Sequence, residues 1–306
     1  MAWTAADIPD LTGKVAVVTG ANAGLGYQTT RALAGEGAKV VIAARNLKKA
    51  ETARTMVLEE HPAAQLEILE IDLASLASVA RAAGELVARQ PSIDILVNNA
   101  GVMAIPQRET ADGFEMQFGV NHLGHFAFTA QLWPALVAGG GARIVAITSF
   151  ARRYRGRFDP TDPPVVGEYN RWKAYGQSKM ANLLFALELD RRANRAGLPI
   201  ASLVAHPGLA HTNLLGERTR YEPRGLRRRL AGRWVERFGM EASRGAHSQV
   251  RAATDPAAAG GQLYAPRFVV NGASVRRPLL PWTRHSTQLE LLWDVSEQMT
   301  GIRFEI

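Results

Sequence analysis

The chain has 306 residues, 47% of them apolar, and a formal net charge of +8. That length and apolar content suit one large α/β domain with a single core. The absence of cysteine excludes disulfides, thiolate metal sites and cysteine nucleophiles, and fits a reducing compartment such as the cytoplasm. No apolar run reaches the ~18 residues of a membrane span, and residues 1–10 lack the basic start of a secretory signal. The positive charge is mostly arginine and is read as solvated surface, not as a nucleic-acid footprint.

Strand and helix signals alternate through the first half. Lys14–Thr19 is a β-branched run ending at Gly20, and Leu25–Leu33 reads as a helix closed by Gly35 and Gly37. Lys39–Ala43, Leu66–Ile71 and Ile93–Val97 follow as strands, separated by helices over Leu47–Glu60 and Leu73–Ala88. After Gly101 the pattern predicts helix through Leu136, a fifth strand at Ala142–Thr148, and a long helix at Lys173–Ala196. Ile200–Ala205 and Leu263–Ala265 are the sixth and seventh strands. Apolar strands alternating with helices predict a single-domain, doubly wound (Rossmann) parallel sheet of about seven strands with helices on both faces. The alternating core with its dinucleotide site spans 12–205, and residues 206–245 and a C-terminal extension over 266–306 follow it.

Gly20, Gly24 and Gly26 follow a strand and open a helix. Such glycines permit a tight turn and close backbone approach to a pyrophosphate, which the helix amino terminus then faces. An NAD site places an acid after the second strand; here Ala44 is followed by Arg45, and the next acid is Glu51. Arg45, with Asn22 as a second contact, would attract the 2′-phosphate of NADP(H); a solvated loop arginine is the alternative.

Tyr175 and Lys179 lie four apart on the long helix, on one face, so an ammonium would lie beside a phenol. A nearby positive charge favours the phenolate and would bring a tyrosine into use as a proton donor and acceptor. Ser149, at the end of the fifth strand, completes a redox constellation. His122 and His125 read as a packed helix face, not as metal ligands, and no metal is expected. Leu226, Leu230, Trp234 and Phe238 form an apolar stripe among eight arginines between Arg218 and Arg237. That is a packed basic helix or, less simply, a surface for a membrane or an acidic partner.

These motifs, in order over about residues 12–215, resemble the short-chain dehydrogenase/reductase family: Thr19-Gly20-x-x-x-Gly24-x-Gly26, Asp72-Leu73, Asn98 to Gly101, Asn121, Ser149, Tyr175-x-x-x-Lys179 and Pro207-Gly208. Asn121 to Phe126, Ala43 to Asn46 and Tyr264 to Pro266 are similar to its retinol dehydrogenase-like, protochlorophyllide reductase-like branch. The resemblance implies an oxidoreductase using NADP(H) on a small-molecule alcohol or carbonyl, with residues 206–245 as its substrate lid. Asn121, Ser149, Tyr175 and Lys179 would be catalytic, with Asn121 holding water in a relay behind Lys179. Gly20, Asn22, Gly24, Leu25, Gly26, Arg45, Asp72, Leu73, Asn99, Ala100, Gly101, Tyr175, Lys179, Pro207, Gly208, Leu209 and Thr212 would meet the cofactor. Ser149, Ala151 and His211 would face substrate. Reduction of a carbon–carbon double bond, or nucleotide sensing without turnover, are the alternatives. Pairing into a homodimer would use the helices bearing Tyr175 and Asn121, unless residues 152–172 fold over that face.

Overall fold

The computed structural model describes residues 3–154, 169–210, 239–279, 283 and 286–306. An eight-stranded sheet runs through it: β1 (Val15–Thr19), β2 (Lys39–Ala44), β3 (Leu66–Glu70), β4 (Ile95–Asn98), β5 (Arg143–Ile147), β6 (Ala201–Ala205), β7 (Leu263–Pro266) and β8 (Ser274–Arg277). Their order is β3-β2-β1-β4-β5-β6-β7-β8. All pairings are parallel except the last, where β8 runs antiparallel to β7. The sequence expectation of about seven strands therefore falls one short. Ser274–Arg277 carries two arginines in four residues, so its alternation is too polar and too brief to read as a strand.

The described α-helices longer than one turn are α1 (Gly24–Gly35), α2 (Leu47–Glu60), α3 (Leu76–Arg89), α4 (Gly124–Gln131), α5 (Trp133–Ala138), α6 (Arg171–Arg195), α7 (Ala242–Thr254) and α8 (Ser286–Thr300). Local chemistry sets their starts. Asn46 accepts the Lys49 amide at the head of α2, and Asn170 accepts those of Trp172 and Lys173 at the head of α6. The helix expected from Gly101 onward begins only at Met116. Residues 102–115 are mostly loop, held by side-chain bonds that no periodicity announces. The chain then makes one wide turn of π-helix, Gly119–Leu123, before α4.

Side chains alternate across each strand, and the core splits accordingly. Val17, Val41, Leu69, Leu96 and Ile144 face α3, α4, α6 and α8. Ala16, Val18, Val40, Ile42, Val97, Val145 and Leu203 face the other way, toward α1, α2 and α7. Both faces are covered, which is why these strands read as continuous apolar runs. The strand order reverses direction between β1 and β4, opening a crevice at the carboxyl ends of the strands.

Candidate active site

Four loops meet at that edge. Gly20 follows β1, Asn99 to Gly101 follow β4, Ser149 follows β5 and Pro207 follows β6. Gly20 and Gly24 adopt φ of +64° and +54°, the left-handed region that suits glycine. A Cβ on Gly26 would run into the Gly20 carbonyl and the Asn99 amide, so the turn closes only on glycine. Ala23 caps α1 with no side-chain bond, which leaves the first amides of a 12-residue helix free to face an anion. An open cleft of about 260 Å³ lies beside this turn, lined by Asn22, Gly24, Tyr27, Lys49, Thr52 and Met56 among others. The glycine cradle and the open helix end fit a dinucleotide pyrophosphate.

Arg45 is 74% exposed, with its guanidinium 3.6 Å from the Asp72 carboxylate. Asp72 also accepts the Ala74 amide, which fixes the turn carrying Leu73. Asn99 donates its side-chain amide to the Thr19 carbonyl at 2.7 Å and receives a bond from Gln249 at 3.2 Å. Gln249, on α7, also donates to Thr29 at 2.6 Å. It supports the turn although nothing in the sequence marks it, being one polar residue on an amphipathic helix. Gly208 has φ of +73°, and the Leu209 amide bonds the Val270 carbonyl at 2.8 Å. His211 and Thr212 lie outside the described residues, as does most of the expected lid.

The residues expected to carry the chemistry converge. Tyr175 is 8% exposed and Lys179 4%, both on α6. Burial pushes the Tyr175 phenol up to about 12, and a hydrogen bond with Ser149 acts in the opposite direction. Burial pushes the Lys179 ammonium down to about 8. Lys179 Nζ donates to the Ile147 carbonyl at 3.2 Å. Ser149 Oγ accepts the Ala151 amide at 3.2 Å, and Ala151 itself is buried. The main chain at Gly101 passes so near that a Cβ there would lie 2.9 Å from Asn121 Oδ1 and 3.4 Å from Lys179 Nζ. Asn121 accepts the Val102 amide at 2.8 Å and donates to the Val102 carbonyl at 3.0 Å and to Ser178 Oγ at 2.9 Å. The amide thus pins the 101–102 segment beside Lys179.

A second, partly buried cluster escaped the sequence reading. Tyr169 OH donates to Glu115 Oε1 at 2.8 Å and accepts from Gln117 Nε2 at 2.8 Å. Gln117 also takes the Ala104 amide at 2.7 Å, where Ala104 has φ of +51°. The cluster fastens the 102–115 loop to the start of α6. Its members are scattered in sequence, so no motif could have joined them. Among the described residues no group of His, Asp and Glu is arranged to hold a metal ion, and no helix is long and apolar enough to cross a membrane.

The family model for short chain dehydrogenases matches residues 14–223. Retinol dehydrogenase 14 of Mus musculus is 37% identical over 300 residues, covering 95% of this chain and 86% of that one. A short chain dehydrogenase/reductase of Colletotrichum higginsianum is 43% identical over 230 residues, which span 69% of this chain but 57% of its own length. A crystal structure of a protein from Mycobacterium Paratuberculosis superposes with a TM-score of 0.82 at 38% identity, over 100% of both chains. The chain belongs to the short-chain dehydrogenase/reductase family and to its retinol dehydrogenase-like branch.

Proposed function

We propose that this chain is an NADP(H)-dependent oxidoreductase that interconverts an alcohol and a carbonyl, with Tyr175 as general acid and base. The observation that carries the reading is the convergence of buried Tyr175 and Lys179 with half-buried Ser149 at the mouth of a glycine cradle. A bound nicotinamide would supply or accept the hydride. The turn from Gly20 to Gly26 would hold its pyrophosphate, with Leu25 buried beneath. Asp72, Leu73 and Asn99 to Gly101 would line the adenosine end. Pro207, Gly208 and Leu209 would flank the nicotinamide, and Lys179 would hold its ribose.

The protein's own part is proton handling. Ser149 would hydrogen-bond the substrate oxygen as negative charge develops there. The Tyr175 hydroxyl would deliver its proton to that oxygen in reduction and take it back in oxidation. Because burial holds the phenol up near 12, it keeps its proton at neutral pH, and the acid role of reduction is the one ready to act. Asn121 would hold water behind Lys179 and so connect the site to bulk solvent.

NADP(H) is preferred in this reading because Arg45 stands where an acid would repel a 2′-phosphate. Lys49 in the adjoining cleft adds positive charge nearby. Apolar primary alcohols and aldehydes head the candidate substrates, because Mus musculus relatives are a retinol dehydrogenase and a polyprenol dehydrogenase. A panel of aldehydes, ketones and alcohols, followed through nicotinamide absorbance with NADPH and NADP⁺, tests the reading. Cofactor binding without turnover of any panel member would defeat it.

A further inference from the structure

We infer that His125 is a positioning residue that ties the Asn121 turn to the cofactor turn through a neutral imidazole of one fixed tautomer. The inference rests on the activity proposed above for Asn121. Its geometry is independent of that activity.

The ring is 2% exposed and both nitrogens are engaged. Nδ1 lies 3.0 Å from the main-chain oxygen of Asn121. A carbonyl oxygen can only accept, so Nδ1 carries the proton. Nε2 is then the bare nitrogen of a neutral ring, and it lies 2.8 Å from Thr19 Oγ1. The Thr19 hydroxyl must donate to it; the alternative acceptor, the Val97 carbonyl, is farther at 3.4 Å. With its proton so committed, Thr19 Oγ1 offers its lone pairs to the amides of Asn99 at 2.9 Å and Ala100 at 3.0 Å.

The bonds therefore run in one direction: the amides of Asn99 and Ala100 to Thr19, Thr19 to His125, and His125 to the Asn121 carbonyl. This chain crosses from the strand ends that shape the dinucleotide cradle to the wide helical turn carrying Asn121. Protonation of the ring would abolish the acceptor at Nε2 and break the chain in the middle. Burial, with the Lys179 charge adding to it, makes that protonation costly and holds the ring neutral down to about pH 4. The imidazole is thus suited to orient two groups at once and not to exchange protons with substrate.

Asparagine and glutamine separate the two ends. An asparagine amide can place its nitrogen near the position of Nδ1, keeping the bond to the Asn121 carbonyl. A glutamine carbonyl can place its oxygen near the position of Nε2, keeping the acceptor for Thr19. His125→Asn should weaken NADPH binding more than His125→Gln, by about fivefold, the fold-change expected for one neutral hydrogen bond. His125→Gln should lose more in kcat at saturating cofactor, by a similar ratio of about fivefold. Binding is read by fluorescence titration and needs no turnover. Equal dissociation constants for the two variants, or losses in Kd and kcat that simply track a fall in melting temperature, would overturn the inference and leave His125 as packing. Wild-type protein that binds NADPH but turns over nothing would defeat the proposed activity instead. The order of the two dissociation constants would then still decide the tie to Thr19.

Discussion

Lys179 sets its ammonium 5.9 Å from the centre of the Tyr175 ring, with the Gly101 main chain against its Nζ. The ammonium is placed to favour the phenolate, but burial works against it at both ends of the pair. It raises the phenol to about 12 and lowers the ammonium to about 8. In the free protein the proton therefore stays on tyrosine at neutral pH, where Lys179 still carries its charge.

Tyr175→Phe should abolish turnover while leaving NADPH binding near the wild-type level, because the ring remains and only the transferable proton is lost. Loss of general acid catalysis should cost at least ~10²-fold in kcat. A variant with half the wild-type rate would remove Tyr175 from the mechanism.

The pH dependence has a defined sign. Reduction needs the protonated phenol and should hold through neutral pH. Alcohol oxidation needs the phenolate and should rise as pH rises. Lys179→Met removes the ammonium that lies 5.9 Å from the ring, so the alkaline limb of oxidation should move upward. A limb that stays in place in an active Lys179→Met variant would show that Lys179 does not tune Tyr175.

Cofactor choice turns on Arg45. Its contact with Asp72 is exposed and 3.6 Å long, so little holds the guanidinium away from a 2′-phosphate. A charge-assisted pair of this kind is worth about 1.5–3 kcal/mol, or roughly ten- to a hundredfold in preference for NADPH. Arg45→Asp should reverse the preference. Equal kcat/KM for NADH and NADPH in the wild-type protein would return Arg45 to the solvated surface.

Much of this site was legible because it is local. Tyr175 and Lys179 are one helical turn apart, and the glycines sit between a strand and a helix whose periods are plain. The bounds of α2, Leu47–Glu60, follow from a good helix-forming run that stops before Pro62. What stayed hidden is long-range. Thr19 and His125 are 106 positions apart, and Glu115 and Tyr169 are 54 apart, so no spacing could pair them. Burial hid the sign of the Tyr175 shift, since a sequence shows the neighbouring charge but not the depth of the pocket.

Buried histidines should make the fold acid-sensitive. His122, His125 and His206 are 1%, 2% and 5% exposed, and burial depresses them from 6.5 to about 3, 4 and 3. A depressed folded-state pKa gives stability that is present above the unfolded value and lost as pH falls toward the folded one. Each ring should then cost about 2 kcal/mol at pH 5, together about 6, against a typical total of about 5–15 kcal/mol. Glu115 and Asp190 are raised by burial and act oppositely, offsetting part of this. Acid titration by circular dichroism should show loss of structure beginning near pH 5–6, and His122→Phe should move the onset lower. An acid onset that His122→Phe leaves unmoved would contradict the neutral burial of that ring.

The last prediction concerns assembly. The face of α4 and α6 through which pairing was expected is covered from within the chain by α8. Trp293 stacks on Phe185 at 6.0 Å and meets Phe126 edge-on at 5.3 Å. Phe304 packs against Trp293 at 4.9 Å, and the Arg192 guanidinium lies 4.4 Å above the indole. His122, next to Asn121, bonds Ser296 Oγ at 2.7 Å, and Arg191 joins buried Glu188 to Glu290. Residues 152–172, which the sequence suggested as the cover, lie mostly outside the described residues, and α8 already fills the role. The intact chain should therefore sediment as a monomer near 33.2 kDa at micromolar concentration. Trp293→Ala should destabilise it by about 3–5 kcal/mol, the usual cost of emptying an indole site. Removing residues 286–306 should expose Phe126 and Phe185 and drive self-association. A wild-type dimer that survives this truncation unchanged would place pairing on another surface and leave α8 as an ordinary core helix.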